Sequence, residues 1–295
     1  MIAMTMSRGR RDLLPTLLFK HPTRNYPNEE FVMDLQLTQK IALVTGSTAG
    51  IGNAIATSLA REGASVIVNG RTQTAVDAAV AKIQAETGGE VTGFAGDLSL
   101  ASAAEALLRL HPIVDILVNN LGIFEVRAFE DISDADWQRF FDVNVLSGAR
   151  LARLYFPKML ARKWGRVIFI SSESGYQIPA EMIHYGMTKA AQIAVARGLA
   201  ELTAGSAVTV NTVLPGPTRS RGVGDFVAEM AAAAAKTAED VEREFFQTAR
   251  PTSLLKRFAT PEEVAALVTY VASPLSSATN GAALRVDGGT VKTAF

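Results

Sequence analysis

The sequence predicts an α/β fold, with a doubly wound parallel sheet of about seven strands in a single domain. Short apolar runs alternate with segments of helical spacing from Lys40 onwards, which is typical of parallel sheets covered by helices on both faces. A glycine-rich turn joins the first predicted strand to the first predicted helix. The chain has 295 residues, of which 48% are hydrophobic and 20% charged, and this suits one large domain.

The predicted strands are short, mostly apolar runs, and the first of them ends in Gly46. Runs of this length, bounded by helical segments, are expected where a strand is buried on both faces. In chain order they are residues 40–46, 64–70, 90–98, 115–121, 165–172, 207–214 and 283–287.

The predicted helices carry apolar residues three and four positions apart. Residues 51–61 place four apolar side chains on one face, and Gly63 ends this helix. Ser133 or Asp134 suits the N-cap of the longest helix, and Pro261 suits the first turn of the last one. In chain order the helices are residues 51–61, 72–87, 134–163, 183–203 and 261–272.

Composition excludes several classes of protein. The chain has 29 basic and 29 acidic residues, and five of the basic residues fall within residues 1–28. The remainder therefore lacks the basic excess of a protein that binds nucleic acid. No apolar run approaches the roughly 18 residues that cross a bilayer, so no membrane partner is expected. Cysteine is absent and only three scattered histidines occur, so we expect no metal site and a cytoplasmic, reducing environment.

Residues 1–32 differ from the rest of the chain. They contain several arginines and three prolines without sustained periodicity, which predicts a disordered or non-native extension ahead of a start at Met33. A transit peptide is the alternative interpretation. Residues 33–295 are predicted to form the single folded domain. Within it, residues 219–256 are predicted to form short helices that act as a lid over the substrate, or else a helical pair that only packs on the body.

A glycine-rich turn follows the first predicted strand and leads directly into a helix. Glycines let the backbone approach a diphosphate, and the free N–H groups and dipole of the new helix favour its negative charge. The turn therefore predicts a dinucleotide-binding site. Its expected members are Gly46, Thr48, Gly50, Ile51 and Gly52.

The end of the second predicted strand indicates which dinucleotide is preferred. Asn69, Gly70 and Arg71 stand where an acidic residue would bind the ribose hydroxyls of NAD. Arg71 is instead suited to a charge-assisted contact with the 2′-phosphate of NADP. NADP(H) is therefore favoured over NAD(H), and a solvated arginine at the start of a helix is the alternative interpretation of Arg71.

Further motifs match a known family in their order and spacing. They are Thr45-Gly46…Gly50-Ile51-Gly52, Asp97-Leu98, Asn119-Asn120-Leu121-Gly122, Asn144, Ser172, Tyr185…Lys189, Pro215-Gly216 and Asp287-Gly288-Gly289. Over residues 36–290 the chain resembles the short-chain dehydrogenases/reductases. The resemblance implies a Rossmann-like domain, usually a homotetramer or dimer, and an NAD(P)-dependent enzyme that interconverts a carbonyl and a secondary alcohol. The helices around residues 136–163 and 184–203 are the candidate subunit contacts.

The resemblance also implies where the cofactor is bound. Asp97, with Leu98 beside it, would meet the adenine. The turn containing Asn120 and Gly122 would pack along the cofactor, and Leu121, in place of the usual alanine, is expected to reshape the pocket. The residues expected nearest the nicotinamide and its carboxamide or diphosphate are Pro215, Gly216 and Thr218.

Tyr185 and Lys189 form the predicted acid/base pair. Carbonyl reduction needs a hydride, which the cofactor brings, and a proton from a positioned acid. The two residues are four positions apart, so on a helix both side chains project from one face. A nearby ammonium favours the phenolate, and we therefore expect Lys189 to lower the pKa of Tyr185.

Two more side chains complete the predicted site. The Ser172 hydroxyl is expected to hydrogen-bond the substrate oxygen, whereas Ser171 is expected to cap the backbone. By the resemblance, the Asn144 side chain would hold a water molecule in a proton relay to Lys189. For four nearby residues, the sequence does not distinguish a place in the pocket wall from a place on the surface. They are Glu173, Gln177, Glu181 and His184. His184 is not expected to be the base, because Tyr185 fits that role.

The leading hypothesis is a carbonyl reductase or alcohol dehydrogenase that prefers NADP(H) and acts on a small molecule. A 3-oxoacyl-thioester reductase that uses acyl carrier protein is the alternative within the family. A non-catalytic dinucleotide sensor or scaffold on the same fold is the alternative of another class, and the presence of both Tyr185 and Lys189 argues against it.

Overall fold

Seven parallel strands form one sheet, as the sequence predicts. The strands are β1 (Ile41–Val44), β2 (Ser65–Gly70), β3 (Val91–Ala95), β4 (Ile116–Asn119), β5 (Trp164–Ile170), β6 (Ala207–Pro215) and β7 (Ala283–Val286). Their order across the sheet is β3-β2-β1-β4-β5-β6-β7. The order reverses between β1 and β4, and in such sheets this switch point is where ligands bind at the carboxyl ends of the strands.

The computed structural model describes residues 33–234 and 236–294. Within them, residues from Asp34 onwards belong to one compact unit. The predicted extension, residues 1–32, lies outside the described residues. Of the helices described, none is long and apolar enough to cross a membrane.

Helices connect the strands and cover both faces of the sheet. They are α1 (Gly50–Arg61), α2 (Gln73–Thr87), α3 (Ala101–Leu110), α4 (Asp134–Phe141), α5 (Ser147–Arg162), α6 (Ile183–Glu201), α7 (Arg221–Ala234), α8 (Ala238–Thr248) and α9 (Pro261–Ala272). The sequence prediction did not include α3, whose only buried residues are Ala104 and Leu107. Ser133 is the N-cap of α4, where it forms a capping box with Asp136.

The long helix predicted over residues 134–163 is interrupted. Between α4 and α5 the backbone makes a π-helical turn, Asp142–Leu146, in which the Ser147 N–H donates to the Asp142 carbonyl. A π turn inserts an extra residue into the helical repeat and is often found at functional sites. Asn144 lies in the middle of this turn.

Two apolar cores lie on opposite faces of the sheet because strand side chains alternate between the faces. Val44 of β1 joins the core that contains Ile55 of α1 and Val268 of α9. Leu43, its neighbour, joins the core that contains Leu151 of α5 and Ala196 of α6. Burial on both faces stabilises the sheet at about 25 cal/mol for each Å² of apolar surface, and it fixes the strand ends that carry the site.

Candidate active site

A cavity of about 930 Å³ opens at the carboxyl ends of β4, β5 and β6. The start of α1, the start of α6 and the helices α7 and α8 complete its wall. The predicted site residues that line it are Gly50, Ile51, Gly52, Asn120, Gly122, Ser172, Tyr185, Lys189, Pro215, Gly216 and Thr218. Residues up to 168 positions apart in sequence are thus brought together at one edge of the sheet.

The glycine-rich turn presents a helix N-terminus to this cavity. Gly46 and Gly50 have left-handed backbone conformations, with φ of 59° and 58°, which glycine adopts without the strain of a side chain. Ala49 is the N-cap of α1 and makes no side-chain capping bond. The first N–H groups of α1 therefore have no side-chain cap, and they suit the diphosphate of a dinucleotide.

Other predicted cofactor residues lie beside the cavity rather than in its wall. Gly46 and Thr48 belong to the glycine-rich turn. Arg71 follows β2 and is exposed, whereas Asp97 and Leu98 follow β3. Because β1, β2 and β3 are neighbours in a parallel sheet, these five residues lie along the same edge as the start of α1.

The turn after β4 is fastened to the glycine-rich turn. The Asn120 side-chain amide donates to the carbonyls of Thr45, at 2.9 Å, and Gly46, at 3.1 Å. Gly122 is close to Lys189, since a Cβ added there would lie 3.4 Å from the lysine Nζ. Leu121 packs on the apolar core that contains Leu151 and lies beside Gly46 of the glycine-rich turn, and its effect on the pocket stays a prediction.

Ser172 lies two residues after β5 and is the N-cap of a short 3-10 turn, Glu173–Gly175. Its hydroxyl oxygen accepts the Ser174 N–H at 3.1 Å, and its proton is donated to the Glu173 carboxylate. Tyr185 lies near this hydroxyl, which favours the phenolate form of the tyrosine.

Lys189 is buried at the base of the cavity with 4% of its surface exposed. Its ammonium donates to the Ile170 carbonyl at 3.0 Å and to Gln192 Oε1 at 3.1 Å. Ser171 donates its hydroxyl to the Lys189 main-chain carbonyl, a backbone contact of the kind expected for it. Burial lowers the pKa of Lys189 to about 8, because a charged group loses hydration in the interior.

Tyr185 lies in the cavity wall on α6, with the Lys189 ammonium 5.5 Å from its ring centroid. Burial raises the pKa of Tyr185, the Glu173 carboxylate raises it further, and the Ser172 hydroxyl acts in the opposite direction. The expectation that Lys189 lowers this pKa is therefore wrong. The ammonium is held by Ile170 and Gln192 instead, and burial of the phenol dominates.

Asn144 is fully buried, and its side chain is occupied by protein groups. Its Oδ1 accepts the Ile123 N–H at 2.7 Å, and its Nδ2 donates to the Ile123 carbonyl and to Thr188 Oγ1, both at 2.9 Å. The structure thus differs from the expected side-chain contact with a relay water. It is the Asn144 main-chain carbonyl that is connected to Lys189, through Gln192.

A buried ion pair forms a second polar feature of the cavity wall. Arg250 Nε donates to Glu173 Oε1 at 3.2 Å, and the side chains are 10% and 6% exposed. Arg250 Nη1 also reaches Glu181 Oε1 at 3.4 Å. Glu173 and Glu181 therefore belong to the cavity, whereas Gln177 is exposed.

His184 lies away from the cavity in an aromatic environment. It is fully buried, with its ring centroid 4.0 Å from that of Phe140 and 6.0 Å from that of Trp137. Among the described residues, no hydrogen-bond partner is found for either ring nitrogen. Burial lowers its pKa, and it does not line the cavity.

The helices α7 and α8 form part of the cavity wall. Val227 of α7, Val241 and Phe246 of α8, and Phe258 form a small separate apolar cluster. Val223, Phe245 and Arg250 from this region line the cavity. Residues of the segment predicted as a lid thus line the site, and its role as a lid stays a prediction. Across residues 33–234 and 236–294, no cluster of three or more potential metal-ligating side chains is found.

Gln192 and Arg250 are the functional candidates that the sequence reasoning missed. Gln192 lies three residues after Lys189, so helical spacing alone places it on the same face, and this signal was available. Arg250 meets Glu173 across 77 residues, and no local pattern indicates such a pair.

The fold and the cavity define a nicotinamide-dependent oxidoreductase, and comparison with known proteins identifies its family. A family model described as short chain dehydrogenase matches residues 40–231. The chain belongs to the short-chain dehydrogenase/reductase family, as its motifs indicate. It is an NAD(P)-dependent oxidoreductase that acts on CH–OH and C=O groups.

Individual relatives resemble the chain over most of their length. An uncharacterized oxidoreductase of Bacillus subtilis (strain 168), YvaG, is 48% identical over 264 residues, which are 89% of this chain and 100% of that protein. L-sorbose reductase of Gluconobacter frateurii, solved with NADPH and L-sorbose, is 29% identical with a TM-score of 0.83, covering 88% and 100% of the two chains. A putative NAD(P)-dependent gluconate 5-dehydrogenase of Beutenbergia cavernae with bound NADP is 31% identical with a TM-score of 0.76, covering 88% and 100%.

Proposed function

We propose that this chain reduces the carbonyl group of a small molecule, with Tyr185 as the proton donor and Ser172 as the group that holds the substrate oxygen. The observation that carries the proposal is that both residues line one cavity wall, where the Ser172 hydroxyl is near enough to act on the Tyr185 phenol. Because the pKa of Tyr185 is raised, its hydroxyl keeps its proton at neutral pH. A proton is therefore present for transfer to the substrate oxygen, although the raised pKa makes this phenol a weaker acid than a free tyrosine.

Lys189 and Asn144 have supporting roles in this proposal. The Lys189 ammonium stabilises negative charge that develops on Tyr185 as the proton leaves. Asn144 holds the turn after β4 through Ile123 and anchors Gln192 with its carbonyl. When bound, the nicotinamide supplies the hydride. The groups suited to hold the dinucleotide are the α1 N-terminus, Asn120, Gly122, Lys189, Pro215, Gly216 and Thr218, with Asp97 and Leu98 at the adenine end.

Preference for NADP(H) over NADH is part of the proposal. Arg71 directly follows β2, at the edge where the adenosine ribose is held in this fold. It is exposed, so its guanidinium is accessible to a 2′-phosphate, which it can bind with two parallel hydrogen bonds. The NADP(H) found in similar proteins supports this preference.

A small-molecule substrate is supported by the same neighbours, one of which is solved with L-sorbose. The test is a spectrophotometric screen that follows NADPH and NADH loss at 340 nm over ketones, aldehydes and acyl thioesters. Tyr185→Phe should abolish turnover of every hit while NADPH still binds, as measured by calorimetry. A substrate whose turnover survives Tyr185→Phe would overturn the proposed proton donor.

We also propose that α7 and α8 act as a lid that closes over bound substrate. The small apolar cluster of α7 and α8 is separate from the two cores of the sheet. These helices can therefore move without disturbing the sheet. Amide exchange in residues 219–256 should slow when cofactor and substrate bind together. Equal exchange with and without ligands would favour the alternative, a helical pair that only packs on the body.

A homotetramer or dimer completes the proposal, with the long helices α5 and α6 as the subunit contacts. Light scattering coupled to gel filtration measures the mass directly. A monomer of 31.4 kDa at the concentration of the activity assay would contradict it.

A further inference from the structure

Glu173 places a carboxylate next to the proposed substrate-binding serine. It is 5% exposed, and its two oxygens have separate partners: Oε2 accepts the Ser172 hydroxyl and Oε1 accepts Arg250 Nε. A carboxylate buried to this degree depends on such donors, because little water reaches it.

The proposed function makes a second demand on the Ser172 proton. A hydroxyl has one proton to donate, and the Ser172 hydroxyl donates it to Glu173. When the substrate carbonyl binds, the Ser172 hydroxyl donates its proton to the substrate oxygen instead. Glu173 Oε2 then loses its donor in a buried position, which is unfavourable unless another donor replaces it.

We propose that the substrate provides this donor, as a hydroxyl on the carbon next to the carbonyl. The substrate class is then an α-hydroxy ketone or aldehyde, and in the reverse direction a vicinal diol. The inference rests on the proposed function. Ser172 Oγ and Glu173 Oε2 are in direct hydrogen-bond contact. The carbonyl and hydroxyl oxygens of an α-hydroxy ketone, separated by one carbon–carbon bond, are spaced closely enough to meet this pair of groups together.

Arg250 makes this arrangement compatible with the proposed proton transfer. An unpaired Glu173 carboxylate would oppose the negative charge that develops on the substrate oxygen and on Tyr185, since it already raises the pKa of Tyr185. The Arg250 guanidinium, 3.2 Å away, offsets that charge and acts on the pKa of Tyr185 in the opposite direction. The carboxylate thus remains an acceptor for a substrate hydroxyl.

The rest of the cavity wall suits the carbon skeleton of a substrate. Phe124, Met182, Val223 and Phe245 line it, and Phe124 packs edge-on against Tyr185 with centroids 6.4 Å apart. Apolar side chains thus share the cavity wall with Glu173 and Arg250. They suit an apolar remainder attached to the α-hydroxy carbonyl group.

Three matched ketones test the inference: 1-hydroxybutan-2-one, 1-methoxybutan-2-one and butan-2-one. The methoxy compound keeps the electron-withdrawing oxygen but has no proton to donate. With NADPH, we expect kcat/KM for the hydroxy ketone to exceed that for the methoxy ketone by about 100-fold or more, because sites built to bind a hydroxyl reject analogues that lack it. Glu173→Leu should reduce this ratio to within about threefold.

The variants need a control for folding. Glu173→Leu leaves Arg250 with the exposed Glu181 as its remaining carboxylate partner, so the double variant Glu173→Leu/Arg250→Leu, which removes the whole buried pair, is measured alongside it. Glu105→Gln on the exposed face of α3 is the matched control and should keep the wild-type ratio.

The possible outcomes separate the two proposals. Equal turnover of the hydroxy and methoxy ketones by the wild-type enzyme would overturn the inference and leave the proposed function standing. A wild-type preference that persists in the double variant would also overturn the role of Glu173. If NADPH binds and no carbonyl compound of any class is reduced, the proposed function fails, and the inference fails with it.

Discussion

Gln192 connects the Lys189 ammonium to the Asn144 main-chain carbonyl. Its Oε1 accepts from Lys189 Nζ at 3.1 Å, and its Nε2 donates to Asn144 O at 2.7 Å. Gln192 is 1% exposed, so neither bond is readily replaced by water. A side chain of the protein, rather than solvent, thus fixes the lysine relative to the π-helical turn.

We expect Gln192→Leu to lower kcat about tenfold, because it leaves the ammonium with Ile170 as its remaining partner and the Asn144 carbonyl without its side-chain donor. The pH at which activity is lost should fall as well, since a less stabilised ammonium gives up its proton more easily. Gln73→Leu on the exposed start of α2 is the control. A Gln192→Leu enzyme with the wild-type pH profile would show that Gln192 only fills space.

The pH dependence of carbonyl reduction should follow Lys189. Burial lowers its pKa to about 8, so in the free enzyme the ammonium is present below about pH 8 and is lost as the pH rises through that value. The pKa of Tyr185 is raised, so its proton is retained over the same range. We expect kcat/KM to fall above pH 8 by up to about tenfold per pH unit.

Gln192→Glu tests the assignment of that titration to Lys189. A carboxylate in contact with the ammonium favours the charged lysine, so the fall in kcat/KM should begin at higher pH than in the wild-type enzyme. An unchanged profile in this variant would assign the titration to another group.

Arg71→Ala should raise KM for NADPH about 10- to 100-fold, since hydrogen bonds to charged groups contribute about 1.5–3 kcal/mol. KM for NADH should change little, because that cofactor lacks the 2′-phosphate. Arg61→Ala, in the last turn of α1, is the control. Equal increases for both cofactors would rule out selective contact with the 2′-phosphate.

His184→Phe should make the protein more resistant to acid. Burial lowers the pKa of His184 in the folded state, so below the unfolded value of about 6.5 only the unfolded chain takes up the proton. The stability associated with neutral His184 is therefore full above pH 6.5 and is lost as the pH falls. Nearby Glu125 and Asp136 oppose the shift, whereas Arg127 and Arg139 support it.

Urea unfolding at pH 7.5 and pH 5.5 measures this effect. The loss of unfolding free energy between the two pH values should be smaller in His184→Phe, by up to about 1 kcal/mol. His111→Asn is the comparison, since His111 is only partly buried and should matter less. Identical losses in wild type and His184→Phe would contradict the prediction.

Periodicity predicted the strands and most helices because their apolar faces are local signals. Residues 134–162 are helical, but the π turn at Asp142–Leu146 that interrupts the regular α-helix leaves no mark in the apolar spacing. Helix α3 was missed because Ala104 and Leu107 are its only buried residues. The pattern of such a short amphipathic segment is weak.

The parts of the site that belong to local sequence motifs could be predicted. Contacts between residues that are far apart in the sequence could not. The turn glycines, Ser172, Tyr185 and Lys189 meet at one cavity, as their order along the chain suggested. The direction of the Tyr185 pKa shift depends on burial and on Glu173, which spacing does not reveal. The pairing of Glu173 with Arg250 depends on where the segment after α8 folds back.

Because of the π-helical turn, the geometry of this site depends on the number of residues in the turn, and not on their identity alone. Removing one residue between Asp142 and Leu146 would restore the regular α-helical repeat and rotate one flanking helix by about 100° relative to the other. The segment would remain helical. The residues of α5 would, however, point in different directions relative to the Asn144 carbonyl. A one-residue gap here in an aligned relative would therefore signal altered chemistry, even where every motif is intact.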